Sequence, residues 1–279
     1  MRIKSKLRFG VMLHGNMLEE WQKKSIDYLL SMNNVTLELF IIDTRGPDTK
    51  NNSFDRYLYS RYRASWFNKT PRRKDKIDKQ FSEIPIVKPL ITKKGKFSEY
   101  FDEESVKAIR EYELDFIMRY GFNIIRGDIL KAAHYGVWSF HHDDERKYTG
   151  SPAGFWEIYH NDPVNGAILQ KINEILDNGI ILKRGFFKTI NYSYVRNINM
   201  IYFESAKWPA WVCKDILNGK DDFPEDTSSK SKGKIYYPPG NLKMIIFFIK
   251  LFKNFSIFKM IFKIFYVGIC EVCKFHSLP

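Results

Sequence analysis

The chain has 279 residues, 44% of them hydrophobic and 28% charged. That balance excludes wholesale disorder and leaves room for one large domain or one domain with an appendage. The 45 Lys and Arg outnumber the 32 Asp and Glu, giving a net charge of +13, which suits either a polyanionic partner or a solvated basic surface. Three cysteines are too few for a disulfide framework, and the apolar run after the basic first residues is too short for a secretory leader. Both readings favour a reducing, cytoplasmic setting.

Leu7 to Leu13 reads as a first strand ending at His14-Gly15-Asn16. Residues 18–32 carry apolar side chains at helical spacing, and Val35 to Ile42 is a second strand. Strand, helix, strand at this spacing opens a βαβ unit. Residues 48–80 interrupt it with an insertion holding eight basic residues between Arg61 and Lys79, interleaved with Tyr57, Tyr59, Tyr62, Trp66 and Phe67. Such a mixture either grips nucleic acid by phosphate contact and stacking or forms a solvated insertion. The α/β rhythm then resumes: an edge strand near 84–91 limited by Pro85 and Pro89, a helix over 102–113 capped by Asp102, and a buried strand over 114–120. A short helix over 126–135 follows.

Gly136 to Gly150 is the stretch around which the rest is organised. It begins Gly136-Val137-Trp138-Ser139-Phe140-His141, an apolar strand, and ends in a polar loop, His142-Asp143-Asp144-Glu145 and onward to Lys147-Tyr148-Thr149-Gly150. Side chains alternate along a strand, so Ser139 and His141 share one face while Trp138, Phe140 and His142 share the other. A helix over 152–160, strands over 166–173 and 179–187, and partly helical structure over 191–217 complete a domain of residues 1–220. Residues 221–240 read as a polar linker. Residues 241–279 form a basic, aromatic tail, whose lysines break any one-sided helix and suggest two short helices divided near Asn254-Phe255-Ser256. Such helices lie in a membrane interface or pack on the domain or on a partner. Cys270, Cys273 and His276 offer three ligands where structural zinc wants four, so no metal is expected.

The run from about Tyr120 to Lys188 resembles the formyltransferase family. The family signature is Gly-hydrophobic-x-Asn-hydrophobic-His, then Lys/Arg-Tyr-x-Gly and a helix bearing Trp. Residues 136–141, 147–150 and the helix with Trp156 follow it, with Ser139 standing where the family has Asn. A second signature is matched by Gly166-Ala167-Ile168-Leu169 and by Asp177-Asn178-Gly179-Ile180-Ile181-Leu182, with Asp177 36 positions after His141. The resemblance implies an α/β, Rossmann-like formyltransferase fold: a mostly parallel sheet flanked by helices, here with a helical C-terminal extension. It implies 10-formyltetrahydrofolate as formyl donor, an amine as acceptor, and His141, Asp177 and Ser139 as catalytic residues. In the family, Asn and His donate to the oxyanion that develops on the formyl oxygen, and Asp orients or deprotonates. Ser donates one hydrogen bond from a shorter side chain than Asn, so a water or a shifted substrate fills the gap, or the chemistry differs, or the enzyme is weakened.

The same resemblance places the pterin against backbone groups of Tyr120, Gly121, Phe122 and Asn123 and of the segment holding Ile175. It places Asp143, Asp144, Tyr148 and Gly150 on the acceptor side, where the acidic loop either holds an amine or is a solvent-facing turn. The expected acceptor is an amino sugar or sugar nucleotide. The tail does not read as the strand-rich barrel that follows the catalytic domain of the tRNA formyltransferase, and only the basic insertion keeps tRNA as an acceptor. Hydrolysis of the donor and a catalytically impaired binding protein stand as the rival readings. The expected location is the cytoplasm, with residues 241–269 open to peripheral contact with the inner face of the membrane.

Overall fold

A computed structural model describes residues 4–46, 54–67, 69–70, 72–77, 81–95, 97–174, 179–223 and 233–275, with side chains through Lys259. In chain order the strands are β1 (Leu7–His14), β2 (Met17–Glu19), β3 (Val35–Asp43), β4 (Lys74–Lys76), β5 (Ile86–Val87), β6 (Ile91–Lys94), β7 (Ser98–Phe101), β8 (Phe116–Arg119), β9 (Ile124–Arg126), β10 (Val137–His141), β11 (Tyr148–Gly150), β12 (Val164–Lys171), β13 (Ile180–Lys188) and β14 (Lys234–Tyr236). The helices are α1 (Glu20–Leu30), α2 (Tyr57–Phe67), α3 (Glu103–Arg110), α4 (Phe155–His160), α5 (Tyr194–Ser205), α6 (Trp208–Leu217) and α7 (Asn241–Phe275).

The main sheet has the order β13-β12-β10-β8-β1-β3-β5. Strands β5, β3, β1, β8 and β10 run parallel; beyond them β12 pairs antiparallel with β10, and β13 antiparallel with β12. The chain builds outward from β1 through β3 to β5, then crosses back to lay β8 on the other side of β1. Strand order therefore reverses between β1 and β8, and the crevice at their carboxyl ends is where such sheets take ligands. Gly121, just past β8, is required there: a Cβ on it would stand 2.6 Å from the His14 amide nitrogen.

Both faces of the sheet are covered, which is why its parallel strands read as continuous apolar runs. On one face Trp138 is fully buried and stacks on Phe116 at 4.0 Å, which in turn stacks on Phe9 at 5.4 Å. On the other, Val137, Ile117, Met12 and Leu39 pack against α3 through Val106 and Ile109. The Asp102 carboxylate caps α3 as its position predicts, accepting from the Ser105 amide at 3.0 Å. The short helix expected over 126–135 is a 3-10 turn, Asp128–Lys131.

Three stretches differ from expectation. Residues 234–236 of the expected linker form β14, which pairs in parallel with β11; Gly150 has φ +100° there, and a Cβ on it would lie 2.1 Å from the Tyr236 carbonyl oxygen. The tail is one helix across Asn254-Phe255-Ser256, where two were expected. Its first turns dock on the domain: Asn241 accepts from the Leu58 amide at 2.9 Å, and buried Phe247 stacks on Phe155 at 4.2 Å. Lys253 and Lys259 stay exposed while Lys250 donates to the Tyr159 carbonyl and Lys243 lies over Trp156, so one face is held by packing and needs no one-sided charge pattern. The basic insertion contributes α2, two of whose aromatic residues turn inward while Tyr57 stays exposed: Trp66 is buried against Tyr194, and Tyr62 packs on Phe248. Among the described residues no helix is long and apolar enough to cross a membrane.

Candidate active site

Strand β10 brings Ser139 and His141 onto one face, as their spacing requires. Both line a cleft of about 160 Å³ with Arg119, Asn123, Ile124, Ile125, Gln170, Ile172 and Gly179. The opposite face of the strand is tied down by aromatic packing. His142 stacks on Tyr202 at 3.8 Å and on Phe140 at 5.4 Å, and Trp21 meets Tyr120, Phe140 and His142 edge-on at 4.9–5.4 Å. Burial holds the His142 imidazole well below its ordinary range, so the ring is neutral and structural while His141 faces the cleft.

The His141 Nε2 lies 3.4 Å from the Tyr148 carbonyl oxygen. A carbonyl only accepts, so in this contact Nε2 carries the hydrogen and Nδ1 is left for other partners. Glu145, Thr149 and Ile168 enclose the other side of the imidazole.

Arg119 forms the floor of the cleft. It ends β8 directly beside Ser139 in the sheet register. Its Nη1 donates to Ser139 Oγ at 2.9 Å, and its Nη2 donates to the carbonyls of Phe122, at 2.8 Å, and Asn123. Among the described residues its buried Nε has no hydrogen-bond partner. Burial lowers its pKa to about 10, opposed by the charge of Glu99, so the guanidinium stays protonated at neutral pH. Glu99 braces the same turn, accepting from the Asn123 backbone and side-chain amides at 2.9 Å each and from Arg45 at 2.7 Å. Arg45 in turn pairs with Asp43 at the end of β3.

The other residues singled out in the sequence fall as follows. Tyr120 points inward onto Trp21, and Gly121 lies against β1. Phe122 takes a left-handed backbone, φ +69°, and its carbonyl, like that of Asn123, is engaged by Arg119. Asp177 and Ile175 lie outside the described residues; Gly179, two positions after Asp177, lines the cleft beside His141. Asp143 and Asp144 turn into the protein. Asp143 accepts from the Gly154 amide at 2.9 Å and adjoins Glu157, and Asp144 pairs with Arg146. Gly166 makes this possible, since a Cβ there would stand 2.7 Å from the Asp144 Cα. Tyr148 is buried, its hydroxyl 3.4 Å from Asp162, and Gly150 sits against β14. Of this loop, Glu145 is the acid that borders His141.

Sequence reasoning missed Arg119 and Gln170; it had Glu145 only as part of the acidic loop on the acceptor side. A single Arg closing the apolar run Phe116-Ile117-Met118 has the pattern of a strand end reaching solvent, and only its register with Ser139 reveals otherwise. A larger hollow, about 690 Å³, lies at the amino ends of β8 and β10 among Lys4, Asp115, Lys131 and His134 and meets the cleft at Asn173. It is at the opposite end of the strands from the switch-point crevice and holds neither Ser139 nor His141.

No protein-family model matches the chain, and no curated protein matches it in sequence. In fold it is similar to glycinamide ribonucleotide transformylase 1 from Symbiobacterium toebii, at 15% identity over 77% of this chain and 89% of that one, with a TM-score of 0.50. It is similar to phosphoribosylglycinamide formyltransferase from Anaplasma phagocytophilum, at 17% identity with the same coverage and a TM-score of 0.50. It is also similar to a 4-N formyltransferase from Francisella tularensis, at 12% identity over 84% of this chain and 77% of that one, again with a TM-score of 0.50. The chain has the Rossmann-like fold of these proteins, a mostly parallel sheet flanked by helices with a C-terminal helix added.

Proposed function

We propose that this chain transfers a formyl group from 10-formyltetrahydrofolate to the amine of an amino sugar or sugar nucleotide. The observation that carries the reading is the pairing of Ser139 and His141 on one cleft wall, beside the switch-point end of the sheet. The names of the proteins similar in fold, among them the 4-N formyltransferase, support it. The cleft suits the ring of the donor, with Ile124, Ile125 and Ile172 giving apolar walls.

When bound, the donor supplies the formyl carbon: the amine nitrogen bonds to it, the bond to N10 breaks, and the amine proton ends on N10. Ser139 stands where negative charge gathers on the formyl oxygen, and one well-placed donor lowers such a barrier by about 3–4 kcal/mol. His141, held through Nε2 by the Tyr148 carbonyl, keeps Nδ1 for proton exchange at the reacting centre. Asp177 orients or deprotonates the amine. The test incubates 10-formyltetrahydrofolate with nucleoside-diphosphate amino sugars and reads the mass gain of one formyl group. His141→Ala and Asp177→Asn are each expected to slow the transfer about 10²–10⁴-fold. Release of formate with no formylated amine from any acceptor would instead establish hydrolysis.

A second observation favours contact with a membrane surface. Leu242, Ile245, Ile249 and Phe252 form an exposed row along α7, Lys243 and Lys253 are exposed beside it, and no acidic residue occurs between 241 and 270. Apolar insertion and attraction to anionic headgroups add on such a face. A nucleic-acid acceptor has less support, since the aromatic side chains Tyr62 and Trp66 of the basic insertion pack inward.

A further inference from the structure

We infer that Arg119 and Ser139 act as one composite hydrogen-bond donor to the formyl oxygen, with Ser139 as the catalytic contact and Arg119 as the residue that positions and polarises it. The inference rests on the formyl-transfer reading and deepens it. A guanidinium has no acceptor, so in the 2.9 Å bond between Arg119 and Ser139 the serine oxygen must accept. The single serine hydroxyl hydrogen then has to point elsewhere. Among the described residues the acceptor it meets is the Phe140 carbonyl at 3.5 Å, the outer limit of a hydrogen bond. The remaining direction is the cleft, which Ser139 lines beside His141.

A charged donor on the oxygen draws electron density from the O–H and makes it a better donor in turn. Burial strengthens the effect. The Ser139 side chain is largely out of water, and the Arg119 charge is held in place by the Phe122 and Asn123 carbonyls rather than by solvent. The arrangement accounts for a serine at this position. A hydroxyl on Cβ reaches less far than a carboxamide, and the fixed cation behind it supplies the polarisation that reach alone does not.

The test reads hydrogen bonding at the formyl carbonyl directly and needs no acceptor amine. The probe is 10-formylfolate carrying ¹³C at the formyl carbon, bound to the full chain and followed by isotope-edited infrared difference spectroscopy, with affinity measured alongside. The wild-type complex is expected to show the formyl stretch at lower frequency than the Ser139→Ala complex, with Arg119→Met close to Ser139→Ala although the hydroxyl is still present. Ser139→Asn in the Arg119→Met background is expected to restore the low frequency, because a carboxamide donates without help. Ser139→Ala leaves the Phe122 and Asn123 bonds of Arg119 intact, so its spectrum is decisive even where Arg119→Met fails to fold. Equal frequencies and affinities in wild type and Ser139→Ala would overturn the composite donor while leaving folate binding in place. Absence of 10-formylfolate binding by the wild type would overturn the formyl-transfer reading and the donor with it.

Discussion

Asp143 and Glu157 occupy one buried space and hold a proton that neither would keep in water. Burial, and then the Glu157 charge, push Asp143 well above its ordinary 3.8, and burial pushes Glu157 up to about 7. In the unfolded chain both carboxyls ionise near their ordinary values. The folded chain therefore binds more protons than the unfolded one between about pH 4.5 and 7, and this pair's contribution to stability falls as pH rises through that window. His142 works in the opposite sense. Its imidazole stays neutral when buried, whereas the unfolded chain takes up a proton near 6.5, so its contribution falls as pH drops through that value. The double substitution Asp143→Asn, Glu157→Gln is expected to raise the melting temperature at pH 7.5 relative to pH 5, and His142→Phe to raise it at pH 5 relative to pH 7.5. Melting curves at fixed ionic strength check both signs. These inward roles were hidden in the sequence, because Asp143-Asp144-Glu145 has the composition of an open acidic loop. Burial became possible through Gly166, twenty-odd positions away, which lets the Asp144 backbone approach.

At the scale of elements, period-two alternation was enough to put Ser139 with His141 and Trp138 with Phe140. The main-sheet strands β1, β3, β5, β8 and β10 were likewise legible from apolar runs and turn residues, but their order in the sheet was not. What stayed hidden depended on distant partners. Strand β14 exists because β11, more than eighty residues earlier, offers a free edge, and α7 is continuous because α2 and α4 cover one of its faces. This packing makes a contrast between two phenylalanines of α7. Phe247→Ala is expected to cost about 3–5 kcal/mol, the usual loss for a buried aromatic in a stacked cluster. Phe252, 74% exposed, is expected to change stability by no more than about 0.5 kcal/mol when replaced by Ala. Chemical denaturation measures both. On vesicles the order should reverse: Phe252→Ser is expected to weaken sedimentation with phosphatidylglycerol vesicles, and equal sedimentation of wild type and variant would remove α7 from any membrane contact.

Across the whole molecule, the sheet sets the geometry of the candidate site. Reversal of strand order between β1 and β8 opens the crevice, β10 lays Ser139 and His141 along it, and Arg119, at the end of β8, charges its floor. The most direct measurement is thermal unfolding of the full chain with and without 5-formyltetrahydrofolate, a folate that binds without transferring its formyl group. Ligand at ~100 times its dissociation constant adds ~2.7 kcal/mol, a rise of about 5 °C for a chain of this length. A rise of that order in wild type, reduced by walling the cleft with Gly179→Val, is the predicted result. An unchanged melting temperature at millimolar 5-formyltetrahydrofolate would contradict the account.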